Sequence, residues 1–294
     1  MSTDRLPKPG QGTYDMVAGQ SAAVVISTYS TSFGLASRLL AEPVRTHVRN
    51  VYALVRIADE IVDDPDLRLD VPERDELLTS LQDDVRRALR HGHSSNLVVH
   101  AFAATARAVG IEADLVDPFF ASMRADLYVT EHDIASLDAY IYGSAEVVGL
   151  MCLRAFLSDL SDDSAADGYE ELTPGARRLG AAFQKVNFLR DLAEDHGLLG
   201  RSYFPGLVLE TFSDHQRDVL LDDIEADLAA SAAAIPRLPG SSRRGVAAAH
   251  ALFAELACRL RATPAAQISR ERVRVPGPVK ARLVLRAVLD RGVR

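Results

Sequence analysis

The sequence predicts an all-α fold. Apolar residues recur at helical spacing, Pro and Gly fall between the periodic stretches, and no segment shows the apolar–polar alternation of a half-buried strand. Composition agrees, since 48% of the 294 residues are hydrophobic but only 6% aromatic, Trp is absent, and the strong helix formers Ala and Leu abound. A chain of this length can bury one large core, and no low-complexity linker divides it. A single helical domain over 14–294 is therefore expected, behind a flexible tail over 1–13.

Taken in order, helices are expected near 15–40, 43–64, 73–91, 95–109, 113–130, 133–158, 168–197, 213–235, 242–263 and 277–291. Proline supplies much of the punctuation, because it lacks the backbone N–H and disfavours helix in the residue before it. Pro43 precedes the second helix, and Pro65 and Pro72 bracket the next turn. Pro118, Pro174, Pro205, Pro236, Pro239, Pro264 and Pro276 read as further boundaries. Cys152 and Cys258 each fall in an apolar helical pattern and are expected to be reduced core residues without a disulfide. The opening MSTDRLPKPGQGT has no signal-peptide core and no window is long enough to cross a bilayer, so a soluble, cytoplasmic protein is expected.

Two of the helices carry acidic stripes. In RIADEIVDD (56–64), Asp59 and Asp63 stand four apart; in FQKVNFLRDLAED (183–195), Asn187, Asp191 and Asp195 repeat that step twice. Each set thus projects from one helix face. Val51, Leu54, Val55, Ile57, Ile61 and Val62 surround the first stripe, and Phe183, Val186, Phe188, Leu189 and Leu192 the second. Helices so apolar are normally interior, where ionised carboxylates are costly unless cations compensate them. An all-oxygen ligand set suits a hard cation such as Mg2+, with Mn2+ an acceptable substitute, its octahedron completed by phosphate or water. One stripe alone reads equally well as a solvated helix face. Two, each with an arginine on its own segment (Arg56 and Arg190), point to a diphosphate held through metal ions.

The net charge of −8 is unevenly placed, because from Ser269 onward eight Arg or Lys face only Glu271 and Asp290. That basic tail suits diphosphates or an anionic membrane surface, and equally a solvated helix with Arg on its wet face. Nucleic acid is not an expected partner of a chain that is acidic overall and has no aromatic–basic recognition motif. None of the eight histidines forms a metal-spaced pair, and His91 and His93 read as helix-end residues.

The stripes lie within an ordered set of motifs: YSTSF from Tyr29, YALVRIADEIVDD from Tyr52, YIYGSAEVVGLM from Tyr140, AFQKVNFLRDLAED from Ala182, GRSYFP from Gly200 and RVRVPGPVK from Arg272. From about Tyr29 to Lys280 the chain resembles the squalene and phytoene synthases, which join two isoprenoid diphosphates head to head. YIYGSAEVVGLM and GRSYFP are most similar to bacterial phytoene synthases. The resemblance implies an isoprenoid-synthase helical bundle around a deep apolar cavity. It implies Mg2+ at Asp59, Asp63, Asn187 and Asp191, with Asp195 completing the second stripe, and catalytic roles for these aspartates and for Tyr140. Tyr52, Arg56, Gln184 and Arg190 would contact substrate or diphosphate, and Ser30 and Ser32 belong to a flap-like entrance motif.

Several roles stay open at the level of sequence. Arg56 and Arg190 suit phosphate oxygens and also a salt bridge to their own stripe. Tyr140 offers a hydroxyl to diphosphate, a ring to a carbocation, or a structural contact. Arg201 and Tyr203 would close the phosphate-bearing mouth or cap the preceding helix, and Arg272 and Lys280 would cover a diphosphate from the C-terminal side. Gly143, Ala145 and Gly149 make room for a prenyl tail or for close helix packing. Two departures from the family pattern stand out: Thr31 replaces a frequent basic residue, and Phe253 a frequent Tyr.

The implied reaction joins two geranylgeranyl diphosphates through a cyclopropylcarbinyl diphosphate to phytoene, without NADPH. The alternatives are farnesyl diphosphate condensation to presqualene diphosphate, squalene or dehydrosqualene, and a non-catalytic prenyl-lipid binding or assembly protein, which would need no metal site. Allylic prenyl diphosphates, a peripheral membrane surface and a downstream carotenoid enzyme are the implied partners.

Overall fold

The computed structural model describes residues 12–289, and among these the secondary structure is helical throughout. The elements are α1 (Thr13–Tyr29), α2 (Thr31–Ser37), α3 (Val44–Asp63), α4 (Val71–His91), α5 (Leu97–Val109), α6 (Ala113–Tyr128), α7 (Ile134–Ile141), α8 (Val147–Phe156), α9 (Asp162–Glu194), α10 (Asp214–Ala232), α11 (Gly240–Ala262), α12 (Ala265–Ile268) and α13 (Gly277–Leu289). Short π-helical stretches, Tyr142–Glu146 and Asp195–Leu199, join α7 to α8 and extend α9. Of the tail expected over 1–13, residues up to 11 lie outside the described ones, and Thr13 already opens α1.

Caps fix many of the boundaries. Asp70 and Glu73 form a reciprocal capping box at the start of α4, Ser213 and Gln216 another at α10, and Gly92 ends α4 in the left-handed conformation at φ 77°. The helix expected over 15–40 is instead two, because Ser30 adopts an extended backbone (φ −132°, ψ 115°) and its hydroxyl caps α2 by accepting from the Phe33 N–H. Pro118 and Pro174 are not boundaries: they lie inside α6 and α9. Each removes one backbone bond, and packing against neighbouring helices carries the helix through.

One core joins α1, α3–α6 and α8 around Leu54, Phe102, Phe119 and Met151; a second, around Leu189, Leu221, Ile224 and Leu260, binds α9 to α10–α12. The small residues of α8 and its π-helical lead-in serve close packing. A Cβ on Gly143 would lie 2.2 Å from the Pro118 carbonyl oxygen, and one on Gly149 2.7 Å from that of Ala176. The cysteines divide: Cys152 is half-buried with its thiol pushed up to about 12 by burial, while Cys258 is exposed, contrary to the core position expected for it. Its side of α11 faces solvent. No helix among the described residues is long and apolar enough to cross a membrane.

Candidate active site

On α3, Val51, Leu54, Ala58 and Val62 are buried in the core, so the helix turns Tyr52, Arg56, Asp59 and Asp63 to its other face. That face meets the end of α9, where Asn187, Asp191 and Asp195 follow the same step. Together they enclose a cavity of about 710 Å3. Both acidic stripes line it, with Ser30, Tyr52, Arg56, Tyr140, Gln184, Arg190 and Tyr203; the side chain of Ser32 lies outside the described residues. Arg272 and Lys280 border it from the C-terminal side.

A second, mainly apolar cavity of about 320 Å3 runs between α1–α3, α8, α9 and α11, with walls including Ile26, Leu40, Val148, Leu153, Phe156 and Val246. It shares Phe33, Tyr52, Val55, Asp59, Gln184 and Asn187 with the first, so a charged chamber opens onto an oily one. Phe253 stands at this junction. Its ring stacks on Phe183 with centroids 3.8 Å apart, filling with aromatic surface the position where a hydroxyl is frequent in the resembled family.

Charges crowd the polar chamber. Burial pushes Asp59 up to about 7; Asp63 adds to the shift and Arg56 opposes it. Asp59 still turns a third of its side chain to the cavity (33%), and Arg56 Nη1 donates to it at 2.8 Å. Burial likewise pushes Asp195 up to about 8, with Asp191 and Asp63 adding to it. Arg190 and Arg272 both grip Asp191, Arg272 Nε at 2.7 Å. Arg56 and Arg190 therefore do pair with their own stripes, and both still border the cavity. Lys280 is pushed down by burial and by the nearby Arg190 and Arg274 charges, marking a cationic rim opposite the carboxylates.

Asn187 Oδ1 is buried and has no hydrogen-bond partner among the described residues, an unmet acceptor within the acidic ring. Crowded carboxylates beside an orphan amide oxygen are the donor set a hard divalent cation takes. No three His, Cys, Asp or Glu side chains among the described residues are grouped to enclose one ion; arginines pair with Asp59, Asp63 and Asp191 instead.

Two placements differ from the sequence reading. Arg201 does not stand at the mouth: it is 6% exposed and lies behind Asp63, its Nη1 on Asp63 Oδ1 at 2.5 Å and its Nη2 on the Val62 carbonyl at 3.1 Å. The Tyr140 hydroxyl is committed within the protein, donating to Asp126 Oδ2 at 2.7 Å, while Tyr203 donates to Asp126 Oδ1 at 3.0 Å. Asp126 escaped the sequence reading. Its signal was an acidic residue continuing the helical step of Phe119 and Met123 on α6, all three of them buried. Burial pushes it up to about 7; Arg201 opposes that shift and Asp63 adds to it. Tyr203 in turn stacks on Phe188 at 4.0 Å, so the wall behind the first stripe is an aromatic layer anchored on one sealed carboxylate.

Comparison with known proteins agrees with this architecture. The chain is 30% identical over 212 residues to the 4,4'-diapophytoene synthase of Staphylococcus haemolyticus, covering 69% of this chain and 66% of that one, just under two thirds of its length. It is 28% identical over 260 residues to the 15-cis-phytoene synthase of Enterobacter agglomerans, covering 79% and 82%. Its fold superimposes on a crystal structure of a dehydrosqualene synthase with a TM-score of 0.78 at 21% identity, over 94% and 97% of the two chains. The squalene/phytoene synthase family model matches residues 26–278. Those residues hold both acidic stripes and nearly all of the cavity wall, and the chain belongs to the squalene/phytoene synthase family.

Proposed function

We propose that this protein is a prenyltransferase that condenses two geranylgeranyl diphosphates head to head into phytoene. The observation that carries the reading is the junction of the two cavities: a chamber with paired acidic stripes and a cationic rim shares its floor with an apolar chamber suited to prenyl chains. Similarity to the Enterobacter phytoene synthase supports the C20 substrate. The diapophytoene synthase relative favours a second reading, the same chemistry on farnesyl diphosphate.

In this mechanism Arg56, Arg190, Arg272 and Lys280 receive diphosphate oxygens, the arginines through their planar forks. Mg2+ held by Asp59, Asp63, Asn187, Asp191 and Asp195, or Mn2+ in its place, would neutralise diphosphate charge and so favour its departure. Phe33, Phe183 and Phe253 line the junction and keep water from the allylic cation while the alkene of the second substrate attacks. The product of that step is a cyclopropylcarbinyl diphosphate, which ionises and rearranges in turn. Each half-reaction releases one diphosphate and one proton, and the departing diphosphate is the proton acceptor. No NADPH is needed.

The hydrocarbon leaves through peripheral contact with a membrane, from which a downstream carotenoid enzyme collects it. α13 is the element proposed for that contact, since none of its residues is buried and Leu285 and Leu289 are exposed beside Arg282 and Arg286. Product analysis of the purified protein with C15 and C20 diphosphates, with and without Mg2+ and NADPH, tests the reading. A C40 hydrocarbon without NADPH is expected; exclusive use of the C15 substrate would favour the second reading, and binding without turnover would reduce the protein to a prenyl-lipid binder.

A further inference from the structure

Arg201 stands between two carboxylates of unequal exposure. Asp63 turns 35% of its side chain to the cavity and takes Arg201 Nη1 at 2.5 Å; Asp126 is sealed at 3% and lies 3.6 Å from the same nitrogen. Tyr203 Oη sits 3.3 Å from Nη1 and donates to Asp126, so a polar track already links the two seats. The backbone N–H of Arg201 is bonded to the Asp195 carbonyl at 3.0 Å, which anchors the residue to the second stripe while its guanidinium serves the first. One buried cation thus serves two carboxylates, and only the nearer one faces the chamber.

We propose that Arg201 is the resident counter-cation of Asp63 in the first acidic stripe, and that Asp126 is the seat to which it withdraws when a divalent ion takes Asp63. This rests on the proposed metal reading and adds to it how the charge on Asp63 is balanced before an ion binds and how the ion gains access to it. A guanidinium left on Asp63 would repel the incoming ion. Asp126 removes that obstacle by giving Arg201 a second partner, about one ångström farther from its Nη1 than Asp63. Without Asp126, Arg201 has Asp63 alone and competes with the metal.

The sign of two effects tests the proposal. Binding of Mn2+ in the presence of inorganic diphosphate is followed by electron paramagnetic resonance, which needs no turnover. Asp126→Asn should weaken Mn2+ binding by about tenfold, the scale of lost support to a metal ligand. The double variant Asp126→Asn with Arg201→Gln removes the competitor as well, and should recover binding to the parent level or better. A merely structural role for Asp126 would weaken binding in both, the double variant no less than the single. The chain has no Trp, so its near-ultraviolet circular dichroism reports Tyr and Phe. Mg2+ with diphosphate should alter that signal in the parent, through Tyr140 and Tyr203, and far less in Asp126→Asn. Unchanged affinity in Asp126→Asn, or no recovery in the double variant, would overturn the proposal while leaving the metal site standing. A parent that binds no Mn2+ would overturn both.

Discussion

Gly180 passes the backbone of Ala145 so closely that a Cβ on it would lie 2.5 Å from the Ala145 carbonyl oxygen. The contact locks α9 to the π-helical stretch before α8, and these two elements carry the second acidic stripe and flank the apolar cavity. Gly180→Ala should therefore destabilise the fold by roughly 1–3 kcal/mol, because backbone rather than a flexible side chain must move. Gly19→Ala, in α1 with nothing within 4 Å of its Cβ, should instead be stabilising by about 0.5–1 kcal/mol. Denaturant midpoints of the two variants check both signs; equal shifts would refute the close-packing account.

Asp59→Asn and Asp191→Asn should each reduce turnover by at least about 100-fold with the helical circular dichroism unchanged, since each removes a charge that positions the leaving diphosphate through metal. Chelation should have the same effect, reversed by Mg2+. Near-normal rates in both folded variants would sink the assigned roles.

Asp195 sets a pH dependence in metal-free protein. Its carboxyl titrates at about 8 in the folded chain against 3.8 as its ordinary value. Between those limits the folded chain keeps a proton that the unfolded chain has released, so stability falls as pH rises through the window. In EDTA, Asp195→Asn should be more stable than the parent at pH 8, and the difference should shrink toward pH 5. Urea unfolding at several pH values measures it, and a pH-independent difference would contradict the cause given.

Contact of α13 with an anionic membrane should weaken with salt and in the variant Arg282→Glu with Arg286→Glu, at about 1 kcal/mol per arginine near the surface. Turnover of dispersed substrate should change little. Sedimentation with anionic and neutral vesicles decides it: equal binding to both would show that the arginines only solvate the helix.

The fold class and the acidic stripes were determined by sequence alone, because both are local periodicities. Asp59 and Asp63, or Asn187, Asp191 and Asp195, share a face by helical spacing whatever surrounds them. Caps such as Asp70 with Glu73 set boundaries for the same local reason. Tertiary structure decided what no short window contains. Pro174 reads as a boundary, yet α9 runs through it on the strength of its neighbours; Cys258 reads as core, yet faces solvent. Arg201 reads as a mouth residue or a helix cap, and its side chain is a buried ion-pair partner of Asp63, 138 positions away. Asp126 has no charged or tyrosine partner from its catalytic neighbourhood nearby in sequence. Its role exists only because folding carries Tyr140, Arg201 and Tyr203 to one carboxylate in a place where burial makes each of those contacts count.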